Sequence, residues 1–458
     1  MRFRLSATLL ATVVAFAATG RVAARPDPAA APQQPPQSEI ILSISGDAGA
    51  RPRYAVPDFM VRTGDAETVA AARLMGAVLW DDLAFEQEFY MVPRDTYKTI
   101  PVARSIPEVA FDRWGELGVD GLVVGSVEKT GAATFRVEVR LFDVRSKRSV
   151  VAKEYNGQTA NPRLYAHTAA DDIHLQQRAL RGVARTKLTF SSDRDGERVP
   201  NTVQARDVKE VYISDYDGAN QRRVTVTHKL NITPVWSPDA RSLAYTSFRQ
   251  ITPDILVSNI YSGMPPENLT GGLGQNWLPS WSPDGTRICF VSTRDGNSEL
   301  YVMNRDGSNL ARLTNHPSID VSPTWSPSGT QIAFTSDRSG APQIYIIEAD
   351  GRNIQKMTSE SWCDRPTWSP APFNEIAYAS RTGPGYDIRI LDLATGERRQ
   401  LTNGEGSNES PAYAPNGRHL VFMSTRAGKK QIFVMGRDGQ GVRQVTIVGN
   451  NYMPDWSR

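Results

Sequence analysis

A Trp-Ser-Pro tripeptide recurs through the second half of the chain and constrains the fold more than any other feature. The copies are Trp236–Pro238, Trp281–Pro283, Trp325–Pro327 and Trp368–Pro370, with a degraded copy at Tyr413–Pro415 and a last one cut short at Trp456–Arg458. Successive aromatic residues are 45, 44, 43, 45 and 43 positions apart. A four-stranded propeller blade repeats at roughly this period, so the spacing predicts a β-propeller.

Within one repeat, turn signals separate strand-like segments. The third repeat opens with a Pro-Asp-Gly turn at Ser282–Gly285, and strand patterns follow at Ile288–Val291, Leu300–Met303 and Ala311–Thr314. We interpret the tryptophans as wedges between neighbouring blades, because a large ring at a fixed place fills a repeated gap. The other interpretation is a role in stacking on a ligand.

Blade number follows from counting the second strand of each repeat. The six copies are Leu188–Phe190, Leu243–Tyr245, Ile288–Phe290, Ile332–Phe334, Ile376–Tyr378 and Leu420–Phe422. The first copy has no tryptophan strand before it, and the last tryptophan strand has no copy after it. Residues 185–458 therefore predict a six-bladed propeller whose C-terminal strand closes the first blade and removes exposed sheet edges.

Residues 39–184 mix helix and strand patterns and predict an N-terminal α/β domain. One helix begins after Asp65 and another at Asn161-Pro162, a cap followed by proline, with its end at Gly182. The remaining expected elements are strands at Ile40–Ser45 and Phe89–Val92, a short helix at Phe111–Leu117, and a strand meander at Gly121–Glu128, Thr134–Asp143 and Ser149–Tyr155.

The N-terminus has the pattern of an export signal. Arg2 and Arg4 precede the apolar run Leu5–Ala18, and Val22–Ala24 ends in small residues. A membrane anchor is the alternative, but the run is shorter than the roughly 20 residues that a spanning helix needs. We expect a signal peptide over 1–24, a periplasmic mature protein without a transmembrane segment, and a monomer.

Residues 25–38 form a Pro/Ala-rich spacer with five prolines. A segment of this composition does not bury enough apolar surface to fold, and proline extends it. It is either an inert tether or an arm that is itself recognised.

Several function classes fit the sequence poorly. The formal net charge is +3, and the first 24 residues hold three arginines and no acid, so their removal leaves zero and no basic excess for nucleic acid. No Gly-x-Ser-x-Gly or His-Glu-x-x-His motif and no phosphate loop is present. His228, His316 and His419 have no ligand-like spacing, and Cys289 and Cys363 are expected to be unpaired. We predict no enzyme, no cofactor and no metal.

The blade run Ile332–Tyr345, the junction Leu180–Leu188 and the early segment Ala50–Phe59 resemble the TolB family. The resemblance extends from about residue 39 to the end. It implies a periplasmic scaffold of the Tol–Pal envelope system that supports outer-membrane integrity and cell division. It also implies a peptidoglycan-associated lipoprotein (Pal) bound by the propeller and a TolA-like inner-membrane protein bound by the N-terminal arm. The spacer departs from the family pattern.

Partner binding is expected where the loops are long. These loops join the fourth strand of one blade to the first of the next, and the second to the third, whereas the opposite end has short Asp-Gly turns. The second set starts with a repeated arginine, at Arg194, Arg249, Arg294, Arg338, Arg381 and Arg426. The hypothesis assigns a Pal-like partner to Asn276, Trp277, Asp320, Asp364, Arg365, Asn408, Glu409, Tyr452, Arg294 and Arg338.

Two alternatives stay open at this point. The arginines have a structural interpretation, hydrogen bonding from blade to blade. The whole chain has another functional one, a periplasmic propeller that binds glycan or peptidoglycan.

Overall fold

The structure is a computed structural model that describes residues 50–198, 207–250 and 252–458. The predicted signal peptide, the spacer and the expected strand Ile40–Ser45 lie outside these ranges. In the part of the chain that is described, no helix combines the length and hydropathy needed to cross a membrane.

An α/β domain comes first, as predicted. Its helices are α1 (Ala66–Glu86), α2 (Phe111–Glu116) and α3 (Pro162–Arg178). Its strands are β1 (Arg53–Ala55), β2 (Met60–Val61), β3 (Tyr90–Met91), β4 (Gly121–Gly131), β5 (Thr134–Asp143) and β6 (Arg148–Gln158). The sheet order is β3-β1-β4-β5-β6, with β2 also paired to β4.

Local signals explain the helix bounds. The Asp65 carboxylate accepts the backbone N–H of Thr68 at 3.0 Å and caps α1. Pro162 opens α3, as expected from its fixed φ. That helix ends at Arg178, four residues before the predicted Gly182, because Ala179 adopts a left-handed conformation.

Six four-stranded sheets follow and confirm the six-bladed propeller. Blade one is β30 (Asn451–Trp456), β7 (Lys187–Ser192), β8 (Glu210–Asp215) and β9 (Arg222–Arg223). Blade two is β10 (Asn231–Trp236), β11 (Ser242–Ser247), β12 (Asp254–Asn259) and β13 (Glu267–Asn268). Blade three is β14 (Asn276–Trp281), β15 (Arg287–Ser292), β16 (Glu299–Asn304) and β17 (Ala311–Arg312).

The remaining blades repeat this order. Blade four is β18 (Asp320–Trp325), β19 (Gln331–Ser336), β20 (Gln343–Glu348) and β21 (Gln355–Lys356). Blade five is β22 (Cys363–Trp368), β23 (Glu375–Arg381), β24 (Tyr386–Asp392) and β25 (Arg398–Gln400). Blade six is β26 (Asn408–Tyr413), β27 (His419–Ser424), β28 (Gln431–Gly436) and β29 (Arg443–Gln444). The pairing of β30 with β7 confirms closure by the C-terminal strand.

Buried aromatic rings fill the gaps between blades. Trp325 of blade four packs with Cys289, Val291 and Leu300 of blade three, and Trp281 of blade three packs with blade two in the same way. The wedge interpretation of the tryptophans is thereby confirmed. Both cysteines are buried and unpaired.

The α/β domain packs against the propeller through the end of α1. The buried Asp82 carboxylate contacts His167 Nδ1 of α3 and the Tyr216 hydroxyl of blade one, each at 2.8 Å. Four residues along the same helix, the buried Glu86 carboxylate accepts a 2.6 Å hydrogen bond from Arg418 of blade six. These contacts use the end of the propeller that has the short turns, so the long loops lie at the opposite end.

His174 gives this domain interface a dependence on pH. Its side chain is fully buried, and neither ring nitrogen has a hydrogen-bond partner within the described residues. Burial, together with the nearby Arg418 cation, lowers the pKa of His174 to about 3. Because this pKa is below the ordinary value, the group's contribution to stability is present above about pH 6.5 and is lost as the pH falls towards 3.

Replacing His174 by leucine should therefore flatten the acid limb of the stability curve. Between pH 6.5 and 4, we expect the slope of the unfolding free energy against pH to fall by about one proton, or ~1.4 kcal/mol per pH unit. At pH 7.5 the unfolding free energy should change by about 1 kcal/mol or less, because no hydrogen bond is lost. Urea unfolding across this pH range measures both quantities. An unchanged acid slope would contradict the prediction.

Candidate partner-binding face

Each inner strand bends at its third residue, and this bend shapes the centre of the propeller. That residue has a left-handed φ of 50–56° in all six blades and precedes a proline: Thr233, Leu278, Ser322, Arg365, Ser410 and Met453. The pairing register of the inner strand shifts at the same place in every blade. Proline is tolerated at such a bulge because it has no N–H to donate to the ladder.

A central channel of about 480 Å³ follows from this geometry. Its wall is made by the third to sixth residues of all six inner strands, and Arg181 and Arg458 contribute two cations. The first and second residues of each inner strand lie nearer the end with the long loops, which we call the loop face. Residues on these two positions carry most of the predicted site.

Buried hydrogen bonds tie the first residue of an inner strand to both sides. In blade three, Asn276 Oδ1 accepts from Ser292 Oγ at 2.8 Å and from Arg294 Nη2 at 3.1 Å. Its amide group donates to Asp254 of the preceding blade at 3.3 Å. The same arrangement joins Arg338 to Asp320 at 2.7 Å.

The predicted site residues therefore fall into two groups. Asn276, Asp320 and Asn408 are fully buried, so their side chains are not available to a partner. Arg294 and Arg338 donate to these buried groups and are themselves half-buried, so their role as contact residues stays a prediction. The hydrogen bonds that these two arginines make lie within one blade, so they differ from the alternative expectation of hydrogen bonding from blade to blade.

The other predicted residues are half-buried and reach the loop face or the channel. Asp364 accepts from Thr335 Oγ1 at 2.9 Å and Glu409 from Ser407 Oγ at 2.8 Å. The Tyr452 ring lies under two lysine ammonium groups, and Trp277 packs partly into the blade core. Arg365 lines the channel. These five residues come from four of the six blades, and Asp364 and Arg365 are neighbours on the inner strand of blade five.

Sequence reasoning missed an apolar feature of the loop face. Five of the six loops that lead into an inner strand carry an exposed large apolar side chain: Val226, Leu273, Ile319, Trp362, and the pair Ile447 and Val448. These residues lie one to five positions before the inner strand. Their recurrence within five positions of the Trp-Ser-Pro strand was a usable signal. The loop into blade six has Asn403-Gly-Glu-Gly406 instead.

One group among the described residues has the geometry of a metal site, and it lies at the domain interface. His167, Asp215 and Asp217 bring their ligand atoms within 4.8 Å of one another. Lys187 and Arg163 already pair with the two carboxylates, and the Arg163 Nε–H group also faces Asp215 at 3.9 Å. A cation is a poor fit beside an N–H donor, so the cluster is better explained as a network of ion pairs.

Two protein-family models match this chain, one over each of its domains. The model of the TolB amino-terminal domain matches residues 40–150, and that of the TolB beta propeller domain matches 178–372 and 359–458. The chain belongs to the TolB family. The Tol-Pal system protein TolB of Bordetella avium is 30% identical over 429 residues, which is 92% of this chain and 91% of that protein.

Two further TolB proteins show the extent of the similarity. The Tol-Pal system protein TolB of Desulfosudis oleivorans is 32% identical over 264 residues, so the match spans 57% of each protein. The crystal structure of TolB from Acinetobacter baumannii superposes with a TM-score of 0.74 at 25% identity, covering 89% of this chain and 97% of that one. The order of an α/β domain before six blades is thus shared with a solved TolB structure.

Proposed function

We propose that this chain is a periplasmic, non-enzymatic scaffold of the Tol–Pal system whose loop face binds a Pal-like peptidoglycan-associated lipoprotein. Membership in the TolB family supports the system, since its relatives carry the name Tol-Pal system protein. In that system the chain would link the lipoprotein to the inner-membrane Tol complex and so support outer-membrane integrity and cell division.

The observation that carries the binding role is the set of exposed apolar side chains on the loop face. Leu273 and Ile447 are 68% and 80% exposed, and comparable residues lie on three more loops around the channel mouth. Apolar groups that gather on one face and are rimmed by polar residues mark protein interaction sites. The α/β domain contacts the opposite end of the propeller, so the described residues leave this face uncovered.

Five half-buried residues of the original hypothesis fit this face. Trp277 and Tyr452 offer aromatic surface, Asp364 and Glu409 offer carboxylates, and Arg365 offers a cation at the channel wall. We also propose that a TolA-like inner-membrane protein binds the N-terminal arm, residues 25–38, as the family resemblance implies.

Titration calorimetry with residues 25–458 and the soluble domain of the lipoprotein from the same genome tests the main proposal. We expect a saturable equimolar complex that persists with residues 39–458, and weaker binding after charge reversal of Asp364 and Glu409. Reversal of Glu397, which is exposed on a turn at the opposite end, is the matched control. Binding to peptidoglycan fragments alone would favour a glycan-binding propeller, and an inner-membrane partner lost only with the shorter chain would assign the arm its role.

A further inference from the structure

Blade five departs from the arginine arrangement of its neighbours. In every blade except blade five, the arginine follows the last serine of the second strand by two positions, as Arg294 follows Ser292. In blades one, three, four and six its Nε donates back to that serine, and its guanidinium lies 4.4–5.6 Å from the centroids of two aromatic rings. These arginines are held by the blade itself.

Arg381 does not occupy that position. It follows Ser380 directly, and Thr382 stands where the other blades have arginine. Because successive strand residues point to opposite faces, a shift of one position turns the side chain to the other side of the sheet. The first inner-strand residue of this blade is Cys363 rather than Asn or Asp, and the strand-three aromatic is replaced by Arg389.

Arg381 is consequently exposed and weakly held. Its one side-chain hydrogen bond among the described residues is a 3.4 Å contact from Nε to the Gly383 carbonyl, and no ion pair involves it there. Two acids of this blade are already engaged by other groups: Glu360 by the Tyr378 hydroxyl at 2.7 Å and by Arg398 at 3.4 Å, and Asp387 by the Thr402 hydroxyl at 2.7 Å. Most donors of the Arg381 guanidinium are therefore free.

Two aromatic residues lie opposite Arg381 in the backbone pairing. The Arg381 N–H donates to the Trp362 carbonyl at 3.0 Å, next to the paired residues Cys363 and Ser380, so Trp362 lies opposite Arg381 across the inner strand. On the other side Arg381 pairs with Tyr386 of β24. Directly opposite residues project their side chains on the same face, so Arg381 and Tyr386 of neighbouring strands and Trp362, one residue before β22, form a row.

The surroundings of this row are consistent with its placement on the loop face. Trp362 is 37% exposed, and Tyr386 is half-buried. Burial raises the pKa of the Tyr386 phenol; the Arg381 cation opposes that shift, and the Glu409 and Asp364 carboxylates add to it. The row is therefore close to two residues of the proposed binding face.

We propose that Trp362, Arg381 and Tyr386 anchor the partner of the loop face, and that the partner presents a carboxylate side chain to Arg381 beside an apolar surface that covers Trp362. This inference rests on the proposed function and names the chemistry of its contact. Tryptophan, tyrosine and arginine are the residue types that dominate binding energy at protein interfaces. A guanidinium with free donors recognises a carboxylate through two parallel hydrogen bonds.

The test compares Arg381→Glu with Arg294→Ala in binding to the soluble lipoprotein domain. Arg381→Glu should weaken affinity about 30-fold or more and leave the unfolding midpoint unchanged, since a hot-spot residue is lost and the only side-chain hydrogen bond lost with it among the described residues is the 3.4 Å one to the Gly383 carbonyl. Arg294→Ala should lower the unfolding midpoint, because it removes a held side chain, and leave affinity within about threefold. Arg381→Lys should lose part of the affinity, since it keeps the charge without the fork.

Each outcome separates the inference from the function on which it rests. If the wild type and Arg381→Glu bind the lipoprotein with equal affinity, the role of Arg381 as an anchor is overturned and the scaffold role stands. No binding of the lipoprotein by the wild type overturns both. Binding of peptidoglycan fragments that is lost in Trp362→Ala would show an aromatic platform for sugar rings and would overturn the carboxylate partner. A charge swap tests the pairing directly. If a lipoprotein variant with one acidic residue changed to arginine binds Arg381→Glu with restored affinity, the pairing is supported.

Discussion

Replacing Asp82 by alanine is expected to lower the free energy of unfolding by about 3–5 kcal/mol, because one partner of a buried charge pair is removed. The Asp82 carboxylate is 1% exposed and bonds His167 Nδ1 and the Tyr216 hydroxyl at 2.8 Å each. Its loss leaves an imidazolium and a phenol in the domain interface with fewer partners. Urea unfolding at pH 7 measures the effect.

The pH dependence of this loss identifies the charge pair as its cause. Burial opposes the charge on His167, but the carboxylates of Asp215 and Asp82 prevail and raise its pKa to about 9. A raised histidine pKa contributes stability that is complete below about pH 6.5 and is lost as the pH rises through 9. The difference in the free energy of unfolding between the wild type and Asp82→Ala should therefore become smaller between pH 7 and pH 9.5.

An exposed ion pair is the control for this substitution. Asp112 contacts Lys147 at 2.7 Å, but its side chain is 86% exposed. Asp112→Ala should change stability by no more than ~0.5 kcal/mol. A similar small effect of Asp82→Ala would mean that the interface does not depend on the buried pair.

The propeller was predictable because its constraint repeats. Every blade must present a large ring to the next, so Trp281 and Trp325 stand at a period that the chain order alone displays. The domain interface has no such period. Asp82, His167 and Tyr216 come from α1, α3 and the turn after β8, and only tertiary packing brings them together.

Residue type alone does not show the direction or the burial of the side chains at the candidate site. A list of arginines by residue type treats Arg381 and Arg294 as equivalent, although a one-position shift in a strand reverses the direction of the side chain. Asn276 and Asp320 were expected to be contact residues because they follow long loops. The structure buries them under those loops, and the exposed apolar residues lie earlier in the same loops.

Replacing Trp456 by alanine is expected to destabilise the protein by about 3–5 kcal/mol, as buried Trp→Ala substitutions do. Trp456 is 3% exposed, and its Nε1–H donates to Thr186 Oγ1 at 2.7 Å. It also lies on β30, which pairs with β7 to close the ring. The cavity therefore forms at the one seam where the first and last parts of the propeller meet.

The consequence should extend beyond the loss of packing. When β30 separates, β7 becomes an open inner edge with unpaired N–H and C=O groups, which promotes association between chains. We expect Trp456→Ala to aggregate on warming below the unfolding midpoint of the wild type, measured by light scattering alongside urea unfolding. Trp456→Phe, which keeps a ring but loses the donor to Thr186, should cost about 1–3 kcal/mol. Trp362→Ala, at a surface tryptophan, is the control and should lower the free energy of unfolding by ~1 kcal/mol or less. Equal losses of stability in Trp362→Ala and Trp456→Ala would refute a special role for the closing strand.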